Sequence, residues 1–136
     1  MTFLFDASSL ILLIRSPKEE RKLSTLKETK ILDLTYYEIG NTVWKESELL
    51  KSLTKDELDK VVNVILKSLA IVESIKLSTS DFADILDIAR RERLTFYDSS
   101  YLYVAKGNNM TLVSEDGKLS RAAKKYTNTQ TVHSLL

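Results

Sequence analysis

The sequence predicts a single α/β domain in which a mostly parallel sheet lies between layers of helices. Short apolar segments of strand character alternate with amphipathic helical segments along all 136 residues, and no repeat or low-complexity segment interrupts them. This alternation is typical of three-layer α/β/α folds, because parallel strands need helical crossovers between them. Residues 1–136 are therefore expected to form one domain with four or five strands.

Composition excludes several classes of protein. The chain has no Cys, which excludes disulfides and thiolate metal sites. The N-terminal residues lack the basic and apolar regions of a signal peptide, and the apolar run Leu10–Ile14 is too short to cross a bilayer. We therefore expect a cytoplasmic protein without a membrane partner. A net charge of +1 neither requires nor excludes binding to nucleic acid.

The first strand and the two helices after it are predicted from changes in the apolar pattern. Thr2–Phe5 is a short apolar run of β type that stops at Asp6, which places Asp6 at the carboxyl end of a strand. A helix containing Leu10–Ile14 follows and is expected to end near Pro17, because the residue before a proline is biased away from helical angles. Lys18–Glu28 is highly charged and predicts a solvated helix.

The next strand and two helices repeat this arrangement. Ile31–Leu34 is the second candidate strand, and Thr35 is the expected N-cap of the helix that follows it. Apolar residues recur on one side of a predicted helix over Thr54–Leu69, where Thr54 and Glu57 have the spacing of a capping box. This last helix shows a strong packing pattern and no candidate chemistry.

The second half of the chain predicts the remaining strands. They are Ala70–Ile75, Met110–Val113 and, as an edge strand, Gln130–Val132. Helices are expected to begin at Ser80 and after Asp98 and Asp116. The first of these has a predicted core stripe of Phe82, Ile85, Leu86 and Ala89. The second ends at Gly107 and Asn108, a pair suited to a left-handed C-cap.

Asp98 has two competing interpretations. It lies at the entry of the predicted helix Ser99–Lys106, whose buried stripe includes Tyr101, Leu102 and Ala105. Asp98 is either an N-cap that accepts the first free amides, or a functional carboxylate that a rigid helix holds in place.

Four acidic residues have topological positions that favour a common cleft. Asp6 ends the first strand, Asp116 follows the fourth, and Glu38 and Asp98 lie early in helices that begin near strand ends. Ligands of parallel sheets bind beyond the carboxyl ends of the strands. Carboxylates gathered there raise one another's pKa and cost stability unless a cation compensates. Each residue also has an ordinary interpretation as a helix cap or a first-turn acid.

The residue types at this cleft favour a hard cation. With no Cys and only a remote His133, the ligands would all be oxygen atoms, which suit Mg²⁺ or Mn²⁺. The chemistry that such a site suggests is metal-assisted hydrolysis of a phosphodiester. One ion and two ions are both compatible with the sequence.

Four segments of the chain resemble the PIN domain family, and in particular the short ribonucleases of VapC-type toxin–antitoxin pairs. They are FLFDASSL, YYEIGNTVWK, TFYDSSYLYVA and LVSEDGKL, in this order over nearly the whole chain. The resemblance implies a strand order of 3-2-1-4-5. It also implies that Asp6, Glu38, Asp98 and Asp116 bind Mg²⁺ or Mn²⁺ and support endonucleolytic cleavage of RNA.

The resemblance also assigns supporting residues and partners. Ser8 would be the small hydroxyl residue after the first Asp, and Ser114 would be the hydroxyl residue before the last one, where family members often have Thr. Asn41 matches a polar position that lines the same cleft. The family further implies a homodimer and a small antitoxin protein whose tail enters the acidic cleft.

Basic and aromatic residues beside these segments have two interpretations each. Candidate RNA contacts are Arg15, Lys118, Arg121, Lys124 and Lys125, with solvated surface charge as the alternative. Tyr36, Tyr37 and Trp44 are interpreted first as core aromatics and second as part of a dimer or antitoxin surface.

The leading functional hypothesis is a metal-dependent endoribonuclease that is the toxin of a toxin–antitoxin pair. The alternatives are a PIN nuclease of RNA processing and a non-catalytic PIN-fold module that binds RNA or a partner. A phosphatase or phosphotransferase is disfavoured, because Asp6 is followed by Ala7 and Ser8 and not by the DxD spacing of aspartyl-phosphate enzymes.

Overall fold

A five-stranded sheet forms the centre of the computed structural model, which describes residues 1–136. The strands are β1 (Phe3–Phe5), β2 (Thr29–Leu32), β3 (Glu73–Ile75), β4 (Thr111–Val113) and β5 (Thr129–Gln130). Their order is β3-β2-β1-β4-β5, and every pairing is parallel. The predicted parallel sheet and its order are therefore confirmed.

Eight helices cover the sheet. They are α1 (Ala7–Ile14), α2 (Glu19–Lys27), α3 (Asp33–Trp44), α4 (Lys55–Leu69), α5 (Phe82–Glu92), α6 (Phe96–Gly107), α7 (Gly117–Ala123) and α8 (Val132–Leu135). A π-helical turn over Lys45–Leu49 continues α3, and a 3₁₀ turn over Thr79–Asp81 precedes α5. No helix is long and apolar enough to cross a membrane.

Two apolar cores lie on opposite faces of the sheet, and the central strand β1 contributes to both. Phe3 and Phe5 belong to one core, together with most of the buried residues of α1. Leu4 belongs to the other, together with residues of α6 and α7. Successive side chains of a strand point to opposite faces, so β1 is covered on both sides and the predicted three-layer arrangement is confirmed.

The register of the sheet places the ends of β1 and β4 side by side. Phe5 is paired with Val113, and the backbone N–H of Asp6 donates to the carbonyl of Val113 at 3.2 Å. Asp6 and Ser114 are consequently the first residues beyond the carboxyl ends of two adjacent strands. This edge is where ligands of parallel sheets bind.

Strand β2 begins and ends two residues earlier than the sequence predicted. Thr29 and Lys30 pair with β1, while the predicted strand residues after Leu32 already belong to α3. Backbone pairing in a sheet does not require apolar side chains, so the polar start of β2 was missed. The prediction that Thr35 is the N-cap was wrong, because Leu32 has that position and the Thr35 hydroxyl accepts the N–H of Leu32 at 3.2 Å.

The N-cap interpretation of Asp98 was also wrong. Thr95 caps α6, and its hydroxyl oxygen accepts the backbone N–H of Asp98 at 3.1 Å. Asp98 is thus a first-turn residue whose carboxylate is not used by the helix. At the other end of α6 the left-handed residue is Asn109, with a φ of 52°, and not the predicted Gly107–Asn108 pair.

The helix α3 buries less aromatic surface than the sequence predicted. Its buried residues are Thr35 and Ile39, whereas Tyr36, Tyr37 and Trp44 are exposed, Tyr37 to 78%. The interpretation of these three residues as core aromatics was therefore wrong. A helix that covers one sheet face needs only one apolar stripe, and these aromatics lie outside it.

The predicted core stripe of α5 is only partly buried. Ile85 and Ala89 are buried, but Phe82 is 58% exposed and Leu86 is 43% exposed. The Phe82 ring stacks on Phe96 of α6, with 5.1 Å between the ring centroids. Phe82 and Leu86 are therefore left as partly exposed apolar side chains on α5.

Candidate active site

All four predicted acidic residues line one cleft at the carboxyl edge of the sheet. The cleft has a volume of about 310 Å³ and is lined by Asp6, Ala7, Ser8, Glu38, Asn41, Thr42, Asp98, Tyr101 and Asp116. These residues come from the start of α1, from α3, from the start of α6 and from the start of α7. The fold therefore gathers side chains that lie up to 110 positions apart in the sequence.

Asp6 is the most buried of the four acids, with 8% of its surface exposed. It follows β1 directly and caps α1, where its Oδ1 accepts the backbone N–H of Ser9 at 3.0 Å and the Ser8 hydroxyl at 3.4 Å. Burial raises the pKa of Asp6, and the nearby side chain of Ser114 and the N–H of Ser9 oppose that rise only in part. The charged form of Asp6 thus lacks full compensation within the protein.

Glu38 lies in the second turn of α3 and is half-buried. The Tyr101 hydroxyl donates a hydrogen bond to Glu38 Oε1 at 2.7 Å. Burial raises the pKa of Glu38, the hydrogen bond from Tyr101 lowers it, and the nearby charge of Asp6 raises it further. Burial also raises the pKa of Tyr101, which keeps the phenol protonated as a donor.

Asp98 shows that the four carboxylates act on one another. Burial raises the pKa of Asp98, and the negative charges of Asp116, Asp6 and Glu38 raise it further, whereas the positive charge of Lys118 lowers it. None of the four acids forms an ion pair; the salt bridges of the molecule all join other residues. The cleft therefore has an excess of negative charge.

Asp116 is both a helix cap and a residue of the cleft. It caps α7, where its Oδ1 accepts the backbone N–H of Leu119 at 3.0 Å, and it also lines the cleft. Its own N–H donates to the Ser114 hydroxyl oxygen at 3.0 Å. Ser114 is almost fully buried and so fixes the loop between β4 and α7.

The oxygen-rich lining of the cleft fits a divalent cation that keeps part of its hydration shell. The acids are joined by the oxygen-bearing side chains of Ser8, Asn41 and Thr42, and the cleft contains no sulfur or imidazole. No group of three or more acidic or histidine side chains is arranged to hold an ion by itself. A hard cation with several waters suits such a site, because it needs only a few direct protein ligands.

Two polar residues of the cleft, in addition to the small apolar Ala7, were not predicted as site residues. Tyr101 was expected only in the buried stripe of α6, and Thr42 was not singled out. Tyr101 is indeed buried, with 1% of its surface exposed, but its hydroxyl reaches Glu38 across 63 positions of sequence. Its spacing from Asp98, three residues along one helix, is the only sequence signal for that role.

The predicted basic contacts separate into two groups. Lys118 follows Asp116 in the first turn of α7, and its charge acts on Asp98. The guanidinium of Arg121 lies over Gly117, 3.0 Å from where a Cβ would stand. Arg15, in contrast, lines a different groove and pairs with Glu46 at 2.6 Å. Lys125 pairs with Glu92, while Lys124 is exposed.

Comparison with known families identifies the chain. A sequence model of the PIN domain matches residues 3–125, which is most of the 136 residues and includes all four acids. The chain belongs to the PIN domain family. The family predicted from the four sequence segments is therefore confirmed.

Two curated PIN proteins from Pyrobaculum aerophilum are similar over most of their length. Exonuclease VapC9 is 32% identical over 122 residues, which are 90% of this chain and 86% of that protein. Ribonuclease VapC3 is 27% identical over 128 residues, which are 88% of this chain and 93% of that protein. The VapC type of PIN nuclease that the sequence suggested is thus confirmed by its relatives.

Solved structures share the PIN fold. PAE2754 from Pyrobaculum aerophilum superposes with a TM-score of 0.83 at 29% identity, covering 99% of this chain and 86% of that one. A second structure is that of VapBC2 from Rickettsia felis bound to a DNA fragment from its promoter. It superposes with a TM-score of 0.66 at 15% identity, and the match covers 96% of this chain and 98% of that one. The second similarity concerns the fold alone.

We predict that Asp6→Asn is more stable than the parent protein at neutral pH when metal is removed with EDTA. Burial raises the pKa of Asp6 in the folded protein above its value in the unfolded protein. Between these two pKa values the folded state binds more protons than the unfolded state, so the protein loses stability as the pH rises through this range. Asn removes this loss and still caps α1. Thermal unfolding should be measured from acidic to neutral pH. The unfolding temperature of Asp6→Asn should show no advantage over that of the parent protein below pH 3.8, the ordinary pKa, and an advantage that grows as the pH rises above it.

Asp84→Asn is the matched control for this prediction. Asp84 is an exposed carboxylate in the first turn of α5 and forms no ion pair, so its replacement should at most lower the unfolding temperature slightly, through the lost interaction with the helix dipole. An Asp6→Asn variant that is less stable than the parent protein at neutral pH in EDTA would show that the Asp6 charge is compensated within the fold.

Proposed function

We propose that this PIN domain protein is a metal-dependent endoribonuclease that hydrolyses phosphodiester bonds of RNA with Mg²⁺ or Mn²⁺. The observation that carries the proposal is the convergence of Asp6, Glu38, Asp98 and Asp116 on one cleft without any paired cation. A structural role alone does not account for this excess of negative charge, because buried carboxylates cost stability when nothing compensates them.

The same four acids are proposed to hold the metal, some directly and the others through its bound waters. A bound Mg²⁺ or Mn²⁺ supplies positive charge that stabilises the phosphate as negative charge develops on it, and that acidifies the attacking water. Asp6 and Asp116 are held rigidly because each caps a helix, and Glu38 is held by Tyr101. Ser8, Asn41 and Ser114 support the cleft with their polar groups. No side chain of the protein is proposed to attack the phosphate.

The mode of cleavage is the part of this proposal that an experiment must decide. Endonucleolytic cleavage follows from the resemblance to VapC-type ribonucleases, whereas one relative is named an exonuclease. A closed circular RNA has no ends, so only an endonuclease can open it. We predict that the protein linearises circular single-stranded RNA with Mg²⁺ or Mn²⁺ and not in EDTA.

The variant Asp98→Asn should lower this rate by about 100-fold or more, since even groups outside a metal's coordination shell typically contribute about 10- to 100-fold. Asp98 does not cap its helix, so the substitution leaves the cap of α6 intact. Asp84→Asn, on the exposed side of α5, should cleave like the parent protein.

Three results would contradict the endoribonuclease proposal. Degradation of linear RNA with circular RNA left intact would indicate an exonuclease. RNA binding without turnover at any Mg²⁺ or Mn²⁺ concentration would favour a non-catalytic module. Equal cleavage by Asp98→Asn and the parent protein would remove Asp98 from the site.

We further propose that Lys118 contacts the RNA backbone beside the acids. Its charge already acts on Asp98, and it has no ion-pair partner in the protein. RNA must approach an acidic cleft, so a free cation at its margin favours binding. Arg121 is the second proposed contact, while Arg15 is a weaker candidate because Glu46 neutralises it.

Replacement of Lys118 should weaken RNA binding in a salt-dependent way. For Lys118→Ala we expect the slope of log affinity against log salt to fall by about 0.7, the value for one phosphate contact on a single strand. Lys67→Ala is the control, because Lys67 is an exposed lysine of α4 outside the cleft. Fluorescence anisotropy across a salt series measures both slopes, and equal slopes for Lys118→Ala and the parent protein would exclude the contact.

The partners implied by the family, a homodimer and a small antitoxin, are also proposals. The proposed dimer contact is at Phe82 and Leu86, which lie one turn apart on α5 and are 58% and 43% exposed, because a contact between two copies would remove their apolar side chains from water. Leu86→Glu should therefore shift the mass measured by sedimentation equilibrium from dimer to monomer, whereas Leu66→Glu, an exposed control on α4, should not. A monomeric parent protein would contradict the dimer. Co-purification with the product of a small neighbouring gene would support the antitoxin.

A further inference from the structure

A chain of three hydrogen bonds connects the end of β2 to the carboxylate of Glu38. The backbone N–H of Leu32 donates to Thr35 Oγ1 at 3.2 Å, Thr35 Oγ1 lies 2.7 Å from Tyr101 Oη, and Tyr101 Oη lies 2.7 Å from Glu38 Oε1. Thr35 and Tyr101 are fully buried, whereas Glu38 is half-buried at the cleft. These three hydrogen bonds thus run from the protein interior to the cleft.

The direction of every hydrogen bond in this chain follows from the number of protons available. An ionised carboxylate only accepts, so the Tyr101 hydroxyl must give its single proton to Glu38. Tyr101 Oη must then accept from Thr35, which uses the one proton of the Thr35 hydroxyl. Thr35 Oγ1 in turn accepts the N–H of Leu32. Both hydroxyl protons are thereby used, and each hydroxyl oxygen accepts one hydrogen bond.

The bond between Thr35 and Tyr101 uses only one of their two hydroxyl protons. The other proton, on Tyr101, is satisfied by Glu38 Oε1 at the cleft. The additional short bond to Glu38 is charge-assisted, and such bonds fix geometry as well as contribute energy. The hydroxyl of Tyr101 therefore acts on a residue of the cleft and not only on the packing of α6.

We propose that Tyr101 and Thr35 are positioning residues that hold the Glu38 carboxylate, through Oε1, at the place in the cleft where it serves the divalent cation. This inference rests on the proposed function, because it concerns a ligand of the proposed metal. Neither residue touches the cation. Tyr101 acts through Glu38, and Thr35 acts through Tyr101.

The first test measures Mn²⁺ binding directly, by electron paramagnetic resonance of free Mn²⁺ during titration of the protein. We expect Tyr101→Phe to bind Mn²⁺ about 10- to 100-fold more weakly, the usual effect of losing a partner that orients a metal ligand. Tyr103→Phe is the matched control. It removes a tyrosine hydroxyl from the same helix, one that donates to Asp81 Oδ1 at 2.8 Å outside the cleft. The Mn²⁺ affinity of Tyr103→Phe should therefore equal that of the parent protein.

The second test separates positioning from a general loss of structure. RNA cleavage by Tyr101→Phe should need more Mn²⁺ for half-maximal rate and should recover in part at saturating Mn²⁺. A folding defect would instead lower the maximal rate without moving the Mn²⁺ midpoint. Thr35→Ser, which keeps the hydroxyl, should retain more Mn²⁺ affinity than Thr35→Val, which lacks it. This pair also tests the chain of hydrogen bonds if Tyr101→Phe fails to fold.

Failure of this inference is distinguishable from failure of the proposed function. A parent protein that binds no Mn²⁺ would overturn both. If the parent protein binds Mn²⁺ and Tyr101→Phe binds it with equal affinity, the positioning role is overturned and the metal site stands. Equal losses of affinity in Thr35→Ser and Thr35→Val would have the same consequence. An equal loss of affinity in Tyr103→Phe would also overturn it, because the effect would then be general.

Discussion

Mutual repulsion of carboxylates at one edge of the sheet is the constraint that organises this structure. Asp6 directly follows the central strand β1, and the parallel register brings the end of β4 beside it. The pKa of Asp98 responds to the charges of the other three acids, which shows that they share one electrostatic environment. Such a site is stable only if other forces hold the acids in place, and the two cores on either face of the sheet provide them.

Three of the acids are fixed by hydrogen bonds that each use one carboxylate oxygen. Asp6 and Asp116 accept backbone N–H groups through Oδ1 as helix caps, and Glu38 accepts the Tyr101 hydroxyl through Oε1. Structural and functional interpretations of these acids are therefore compatible, since a carboxylate has two oxygens with two lone pairs each. Asp98 differs because Thr95 caps its helix, which leaves its carboxylate to the cleft alone.

Sequence reasoning succeeded where one local pattern determines the structure and failed where two local candidates compete. The short apolar runs gave the strands and hence the edge where the acids meet. Thr95 and Asp98 are both good capping residues three positions apart, and the sequence does not reveal which one the helix uses. The contact between Tyr101 and Glu38 depends on how α6 packs against α3, which no local pattern contains. The exposure of Tyr37 and Phe82 likewise depends on which helix faces the sheet leaves uncovered.

The fold can compensate a buried charge, and Lys22 shows how it does so. The Lys22 ammonium is buried, donates to the carbonyls of Ile14 and Ser16 at 3.1 and 3.3 Å, and pairs with Glu19 at 2.9 Å. Asp6 is similarly buried but has no cation beside it, and its pKa is raised. The same polypeptide therefore satisfies one buried charge completely and leaves another in excess. Since an uncompensated carboxylate destabilises the fold, its retention is best explained by positive charge that arrives from outside the chain.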